Sequence, residues 1–187
     1  MDRTNLSAIR ETFGKLVWSH KTHEKAVERL SRRKTIFDIL NVSLLVLTSG
    51  SAIGALVKNE HSYLVTTAIL STVSLFVIVY GLNLDIGNRI QRHNRTALRL
   101  WMLREKYQNF IADIMNDHFA NGEIADKRDI LLGQLNEAYG DAPSTTKDDY
   151  RRAAIALNIK EEATFRKGEI NSFLPEELRL DDKEWQS

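Results

Sequence analysis

Residues 39–57 read ILNVSLLVLTSGSAIGALV and residues 62–84 read SYLVTTAILSTVSLFVIVYGLNL, and neither run contains a charged residue. At about 1.5 Å rise per residue, the runs form helices roughly 28 to 35 Å long, enough to cross a bilayer core of about 30 Å. Only Lys58-Asn59-Glu60-His61 joins them. The alternative is a pair of buried helices in a soluble bundle, but such helices are seldom apolar on every face over this length. The sequence therefore predicts a transmembrane helical hairpin.

Charged residues are concentrated outside the two runs. The chain has 26 Lys and Arg and 25 Asp and Glu, of which only Lys58 and Glu60 fall between residues 39 and 84. Basic residues precede the first run and follow the second: Arg29, Arg32, Arg33, Lys34, Arg89, Arg92, Arg95, Arg99 and Arg104. Because basic flanks stay on the cytoplasmic side, we expect a multi-pass protein of the cell membrane with both termini in the cytoplasm.

The segments outside the hairpin show helical patterns. Residues 1–34 and residues 86–118 each carry an apolar stripe with alternating spacings of three and four, as in packed helices. Both helices should continue directly into the spans, and their stripes should pack on one another or on neighbouring subunits. We call this predicted contact the cytoplasmic seam; its candidate residues are Leu16, His20, His23, His93, Leu100, Arg104 and Tyr107.

The fold class predicted is an all-α membrane protein, a two-transmembrane helical hairpin whose helices extend into a cytoplasmic helical bundle. Its parts are an N-terminal helix (1–34), the hairpin (35–85), a helix (86–118) and a small C-terminal helical unit (119–187). Asn121-Gly122 should break the long helix, and residues 144–146 offer N-caps for a short helix over residues 150–157. Residues 173–178 should end the ordered region, and residues 181–187 should fray.

Charge also divides along the chain. Residues 1–112 carry 16 basic and 8 acidic residues, whereas residues 113–187 carry 10 basic and 17 acidic residues. The basic half suits an anionic lipid surface. The acidic half could dock on a basic partner or on the basic face of a neighbouring subunit. No nucleic-acid reader motif accompanies the basic residues, so direct binding of nucleic acid is not expected.

Small and hydroxyl residues lie within the spans. Gly50 and Gly54 form a GxxxG, which lets two helix backbones approach closely in lipid. Thr67, Ser71 and Ser74 share one helical face by their spacing, and this face is either a packing surface or the lining of a pore. One hairpin cannot enclose a water path, so a pore requires a homo-oligomer, with Glu60 as a charged ring at its outer mouth.

Nothing in the sequence has the pattern of a catalytic site. It contains no Gly-rich phosphate loop, no nucleophile elbow and no cysteine. His20 and His23 lie three apart on a helix and could form a metal pair, but packed histidines are the commoner case. We therefore expect no enzymatic activity, no metal site and no cofactor.

A resemblance to a known family extends from about Lys21 to Arg179. It is carried by these positions: Thr22-His23-Glu24-Lys25, Asp85, His93, Arg95, Ala97, Leu100-Trp101, Arg104-Glu105-Lys106-Tyr107, Asp113, Lys127-Arg128-Asp129, Ala142-Pro143, Glu169-Ile170 and Phe173-Leu174-Pro175-Glu176-Glu177-Leu178-Arg179. Their order around a two-span hairpin is more specific than any one motif among them. On these positions the chain resembles the SLATT family, two-transmembrane modules associated with SMODS nucleotidyltransferases and SLOG sensors.

The resemblance implies a bacterial antiphage or conflict-system effector of the inner membrane. Such effectors form pores when a partner sensor signals, in some systems through a cyclic nucleotide. A separate sensor is expected here: a nucleotidyltransferase, a SLOG protein or a reverse transcriptase. Two other functions stay open on the residues alone. One is a membrane anchor that recruits a cytosolic partner through its acidic end, and the other is a constitutive cation channel with Glu60 as its filter.

Overall fold

A computed structural model of the chain describes residues 3–58, 60–119 and 121–160. These residues form five α-helices and no β-strand: α1 (Arg3–Lys58), α2 (His61–Asn83), α3 (Ile86–Met115), α4 (Asn121–Gly140) and α5 (Lys147–Asn158). The predicted fold class, an all-α protein built on a two-helix hairpin, is confirmed. The segments at residues 173–178 and 181–187 lie outside the described residues.

Helix α1 is continuous through the extramembrane unit and the first apolar run. Its 56 residues contain no proline, and they correspond to a rod about 84 Å long at the usual helical rise. The expected continuation of the N-terminal helix into the span is therefore present. Because one helix belongs to both regions, a displacement of its extramembrane part is transmitted to its intramembrane part without a joint.

Helices α1 and α2 form the hairpin, and most of its surface faces outward. Only 11% of the most apolar stretch of α1 and 6% of that of α2 is buried within the chain. Most of the exposed side chains are apolar, and Leu56, Val57 and Leu82 each expose more than three quarters of their surface. A surface of this composition requires lipid or other copies of the hairpin around it.

Helices α2 and α3 are separate, whereas the sequence predicted one continuous helix. The break lies at Leu84 and Asp85, where Asp85 adopts the left-handed conformation with φ 43° and ψ 40°. Aspartate tolerates this conformation better than most residues, and the Asp85 carboxylate accepts a hydrogen bond of 3.0 Å from the Asn88 side chain. This residue interrupts the helix between the second apolar run and α3, and Ile86 then begins the buried side of α3.

The extramembrane core lies between α1, α3 and α4. Leu16, Leu100 and Tyr107 are fully buried in it, and Phe110 and Ile114 extend it toward α4. The residues of α1 and α3 in this core follow the predicted seven-residue pattern. Fully burying each large apolar side chain contributes about 1.5 to 3 kcal/mol. The two stripes therefore pack on one another within a single chain.

The connection from α3 to α4 turns earlier than predicted. Helix α3 ends at Met115, Asp117 has a φ of 54°, and α4 already begins at Asn121. Helix α5 begins as expected at one of the predicted caps. The Thr146 side chain accepts a hydrogen bond from the Asp149 backbone N–H, and the Asp149 carboxylate accepts one from the Thr146 backbone N–H.

Candidate functional site

Polar side chains form the contact between the two spans. The Ser51 hydroxyl of α1 donates to the backbone carbonyl of Tyr63 at 3.0 Å. The Thr67 hydroxyl of α2 lies 2.9 Å from the Ser51 oxygen. Buried hydrogen bonds of this kind hold membrane helices together because lipid offers no alternative partner. The hairpin is thus fixed near its loop by a hydroxyl network that includes the predicted residue Thr67.

The two glycines of the GxxxG lie in different surroundings. A Cβ added at Gly54 would lie 2.8 Å from the Tyr63 ring, so this glycine allows close packing between α1 and α2. A Cβ added at Gly50 would meet nothing within 4 Å. Gly54 therefore belongs to the hairpin itself, and Gly50 lies on the outer surface of the span.

The predicted hydroxyl face is divided by the fold. Thr67 is half-buried and Ser74 is buried between the spans, whereas Ser71 is exposed on the outer side of α2. Glu60 is exposed at the N-cap of α2, within 3.5 Å of the Ser62 hydroxyl. The structure thus brings Thr67 and Ser74 together with α1, and it places Ser71 and Glu60 apart from them.

Two polar atoms inside the hairpin have no partner among the described residues. They are Asn41 Oδ1 on α1 and Ser74 Oγ on α2, and both atoms are fully enclosed. An unpartnered polar group in an apolar environment costs about 1 to 3 kcal/mol. Sequence analysis did not single out Asn41, although it is the only asparagine in the first apolar run.

Outside the hairpin, the candidate residues of the cytoplasmic seam differ in their burial. Leu16, Leu100 and Tyr107 are fully buried in one cluster, and burial raises the pKa of the Tyr107 hydroxyl. His20 and Arg104 lie at the edge of this cluster. Burial lowers the pKa of His20, which the Glu24 carboxylate on the next turn of α1 partly offsets. His20 and Arg104 also line an open groove of about 690 Å³ between α1, α3 and α5.

A buried histidine pair joins α1 to α3. His23 Nδ1 lies 3.0 Å from His93 Nδ1, and both side chains are almost fully buried. One ring must donate and the other accept, so the two facing nitrogens share a single proton when this hydrogen bond forms. Burial and, to a smaller extent, the neighbouring His93 lower the pKa of His23 to about 4. Burial also lowers the pKa of His93, while the Asp149 carboxylate acts in the opposite direction.

An ion pair beside the histidines fastens α5 to α1. Arg29 donates two hydrogen bonds to the Asp149 carboxylate, at 2.7 Å and 3.0 Å, and Asp149 is fully buried. Burial alone would raise the pKa of Asp149, but hydrogen bonds from Arg29 and Thr146 hold it below the usual value. We call His23, His93, Arg29 and Asp149 the membrane-proximal node, since Arg29 belongs to the basic flank of the first span.

Sequence analysis missed the role of Asp149. It placed Arg29 in a basic flank and offered no reason to connect Arg29 with Asp149, 120 positions away. The sequence feature that could have drawn attention to Asp149 is the spacing Thr146-x-x-Asp149, which is typical of a capping box. In the structure, the Asp149 carboxylate of this box is buried against α1. No three His, Cys, Asp or Glu side chains in the described parts of the chain cluster closely enough to hold a metal ion.

The fold and these sites define a membrane-embedded helical hairpin on a packed helical stalk. A model of the SMODS and SLOG-associating 2TM effector domain family 4 matches residues 6–169, so the chain belongs to this family. Membership confirms the resemblance seen in the sequence and makes the chain a membrane effector domain of conflict systems. No curated protein and no solved structure shows significant similarity to the chain.

Proposed function

We propose that this chain is the pore-forming effector of a bacterial antiphage system, which oligomerises and permeabilises the inner membrane. The single observation that carries the proposal is the continuity of α1 from Arg3 to Lys58. The same rigid helix contributes to the extramembrane core and to the membrane hairpin. A change in packing below the membrane therefore moves a span directly, and packed helices switch between discrete arrangements.

The surface of the chain supports assembly. The outer faces of the spans are apolar, and exposed apolar residues continue on α3 outside the membrane, where Leu98, Trp101 and Met102 are each about half exposed. Exposed apolar surface of this kind marks a contact with another protein. We therefore place subunit contacts on the outer side of the hairpin and along α3.

Of the candidate pore-face residues Thr67, Ser71, Ser74 and Glu60, we assign Thr67 and Ser74 to the pore lining, Ser71 to the outer surface of α2 and Glu60 to the pore mouth. In the single hairpin Thr67 and Ser74 are turned toward α1, so an aqueous path requires a rearrangement of the hairpin or its neighbours. The trigger comes from a separate sensor or its second messenger. The family name associates such domains with SMODS and SLOG proteins.

Dye release from vesicles tests this function. The full chain is reconstituted into vesicles of phosphatidylethanolamine and phosphatidylglycerol loaded with carboxyfluorescein, with and without the product of the neighbouring gene. We expect release that rises steeply with the protein-to-lipid ratio. The Leu100→Asp variant buries a charge in the extramembrane core and should release little dye. Absence of release from the unmodified chain under every condition, together with no loss of viability on expression, contradicts the proposal.

A second candidate function is a membrane anchor that recruits a cytosolic partner. Exposed acidic residues on and after α4 favour it: Asp126, Asp129, Glu137 and Asp141. Replacing Asp126 and Asp129 by lysine distinguishes the two functions. An anchor should lose co-sedimentation of the neighbouring gene product with membranes and should show no conductance in any form. A pore should retain dye release.

A further inference from the structure

Five polar side chains form a line through the interior of the hairpin. They are Asn41, Thr48, Ser51, Thr67 and Ser74, and we call them the hairpin polar track. Ser74 is buried and the other four are half-buried. The track lies at a seven-residue repeat on each helix, from Asn41 to Thr48 and from Thr67 to Ser74, which keeps it on the side that faces the partner helix.

The two ends of the track differ in their hydrogen bonds. At the loop end, Ser51 and Thr67 bond to each other and to the Tyr63 carbonyl. At the end nearer the extramembrane unit, Asn41 Oδ1 and Ser74 Oγ are enclosed without a partner among the described residues. The loop end therefore stabilises the closed hairpin, and the other end destabilises it.

The helix register places these two unpartnered atoms at a similar depth. Phe37 contacts Tyr80 with a ring separation of 6.3 Å, and Ser51 contacts Thr67 near the loop. Between these contacts, Asn41 and Ser74 lie within about one helical turn of each other along the hairpin. The Asn41 amide oxygen and the Ser74 hydroxyl therefore lie at a similar depth in the hairpin, and neither has a hydrogen-bond partner among the described residues.

We propose that the hairpin polar track lines the aqueous path of the open pore, and that Asn41 and Ser74 form its narrowest part. The inference rests on the proposed pore function and names its lining residues. In the open state the two spans separate or rotate, and water hydrogen-bonds to the Asn41 and Ser74 oxygens, which have no partner among the described residues of the closed hairpin. Hydrogen-bonding side chains of this kind line water-filled pores. Ser71, on the outer side of α2, then contacts lipid or a neighbouring subunit.

Cysteine accessibility tests this assignment, because the chain contains no cysteine and needs no background substitution. Single variants Asn41→Cys and Ser74→Cys are compared with Ser71→Cys and with Val46→Cys, whose position is 65% exposed on the outer surface of α1. Each is reconstituted in the same dye-loaded vesicles and treated with a charged methanethiosulfonate that does not cross lipid. We expect loss of dye release for Asn41→Cys and Ser74→Cys and unchanged release for the two controls.

The outcomes separate this inference from the function beneath it. Release that is blocked only in Ser71→Cys shows that the outer face of α2 lines the pore and overturns the assignment alone. A chain that releases no dye under any condition overturns the pore and the assignment with it.

A stability measurement distinguishes a pore-lining role from a packing role. Asn41→Leu and Ser74→Ala remove enclosed polar atoms that make no hydrogen bond to the described residues in the closed hairpin. Their melting temperatures in detergent should therefore stay the same or rise, while dye release is lost. A fall in the melting temperature of both variants with unchanged dye release shows that the two side chains serve packing only and overturns the inference.

Discussion

His23 and His93 are 70 positions apart in the chain, and their Nδ1 atoms lie 3.0 Å apart between α1 and α3. The neutral pair shares one hydrogen bond. A first additional proton leaves this bond intact if it binds at the Nε2 of the donating ring, but a second would place hydrogens on both facing nitrogens. Arg29, Arg89 and Arg92 also oppose positive charge at His93, and Asp149 on α5 favours it. The contact between the two rings therefore joins α1 to α3 only while the pair is not doubly protonated, whereas the Arg29–Asp149 ion pair continues to join α1 to α5.

We expect the stability of the extramembrane unit to fall on acidification. The pKa of His23 in the folded chain is about 4, against an ordinary value of 6.5, so the unfolded chain binds more protons between these values. The contribution of His23 to the free energy of unfolding is thus fully present above about pH 6.5 and is lost as the pH falls toward 4. The loss of stability should be on the order of 2 kcal/mol. It is followed by comparing the melting temperature in detergent at pH 7.5 with that at pH 4.5.

The double variant His23→Gln, His93→Gln should flatten this dependence, because two amides can pair without titrating. His118→Gln is the matched control, since the His118 side chain is 62% exposed and lies 3.7 Å from the Asp113 carboxylate. An unchanged pH dependence in the double variant assigns the acid sensitivity to other groups.

We expect removal of one partner of the buried ion pair to be costly. Arg29→Ala leaves the Asp149 carboxylate, which is fully buried, without its guanidinium and should lower stability by about 3 to 5 kcal/mol. Arg99→Ala is the matched control, because the Arg99 and Asp141 side chains are 55% and 81% exposed. Loss of that exposed pair should cost about 1 kcal/mol or less. Chemical unfolding followed by circular dichroism measures both, and equal losses would contradict the assignment of the node.

We expect neighbouring leucines of α3 to respond differently to truncation. Leu100 is fully buried in the core, so Leu100→Ala should destabilise the extramembrane unit by about 2 to 5 kcal/mol. Leu98 is 56% exposed, and Leu98→Ala should leave the stability of the monomer within about 0.5 kcal/mol. Crosslinking in membranes then reports assembly. Reduced crosslinking in Leu98→Ala at unchanged stability identifies α3 as a subunit contact, and unchanged crosslinking argues against it.

We expect a substitution at Gly54 to affect the stability of the hairpin and a substitution at Gly50 to affect only its assembly. Gly54→Ala places a Cβ 2.8 Å from the Tyr63 ring and should lower the melting temperature of the hairpin. Gly50→Leu extends into open space and should leave that temperature unchanged. If the outer face of α1 contacts another subunit, Gly50→Leu will change the crosslinked oligomer pattern. A lower melting temperature in Gly50→Leu alone would reverse the two assignments.

We expect Glu60→Gln to reduce cation preference only if the loop forms a ring at the pore mouth. Glu60 is exposed and takes no part in holding the hairpin, so the substitution should not change the fold. Reversal potentials in a salt gradient across planar bilayers measure the preference, and His61→Gln in the same loop is the control. Equal reversal potentials in all three proteins would exclude a filter at Glu60.

Much of the architecture follows from local sequence pattern. The uncharged runs at residues 39–57 and 62–84 specify the hairpin, because helices that are apolar on every face over this length are buried in a lipid bilayer more readily than in a small soluble bundle. The seven-residue stripes on both sides of the hairpin predicted which residues of α1 and α3 are buried, including Leu16, Leu100 and Tyr107. Periodicity is a property of one helix, so it can be recognised without knowledge of the partner.

Tertiary structure decided what periodicity leaves open. The left-handed backbone conformation of Asp85 separates α2 from α3. The sequence could not predict this break, because aspartate occurs within helices as well as at their ends. The pairing of His23 with His93 and of Arg29 with Asp149 depends on how three helices meet, which no local spacing records. For the same reason the sequence grouped Thr67, Ser71 and Ser74 on one face, whereas the packing of α1 against α2 enclosed two of them with Asn41 and left Ser71 outside.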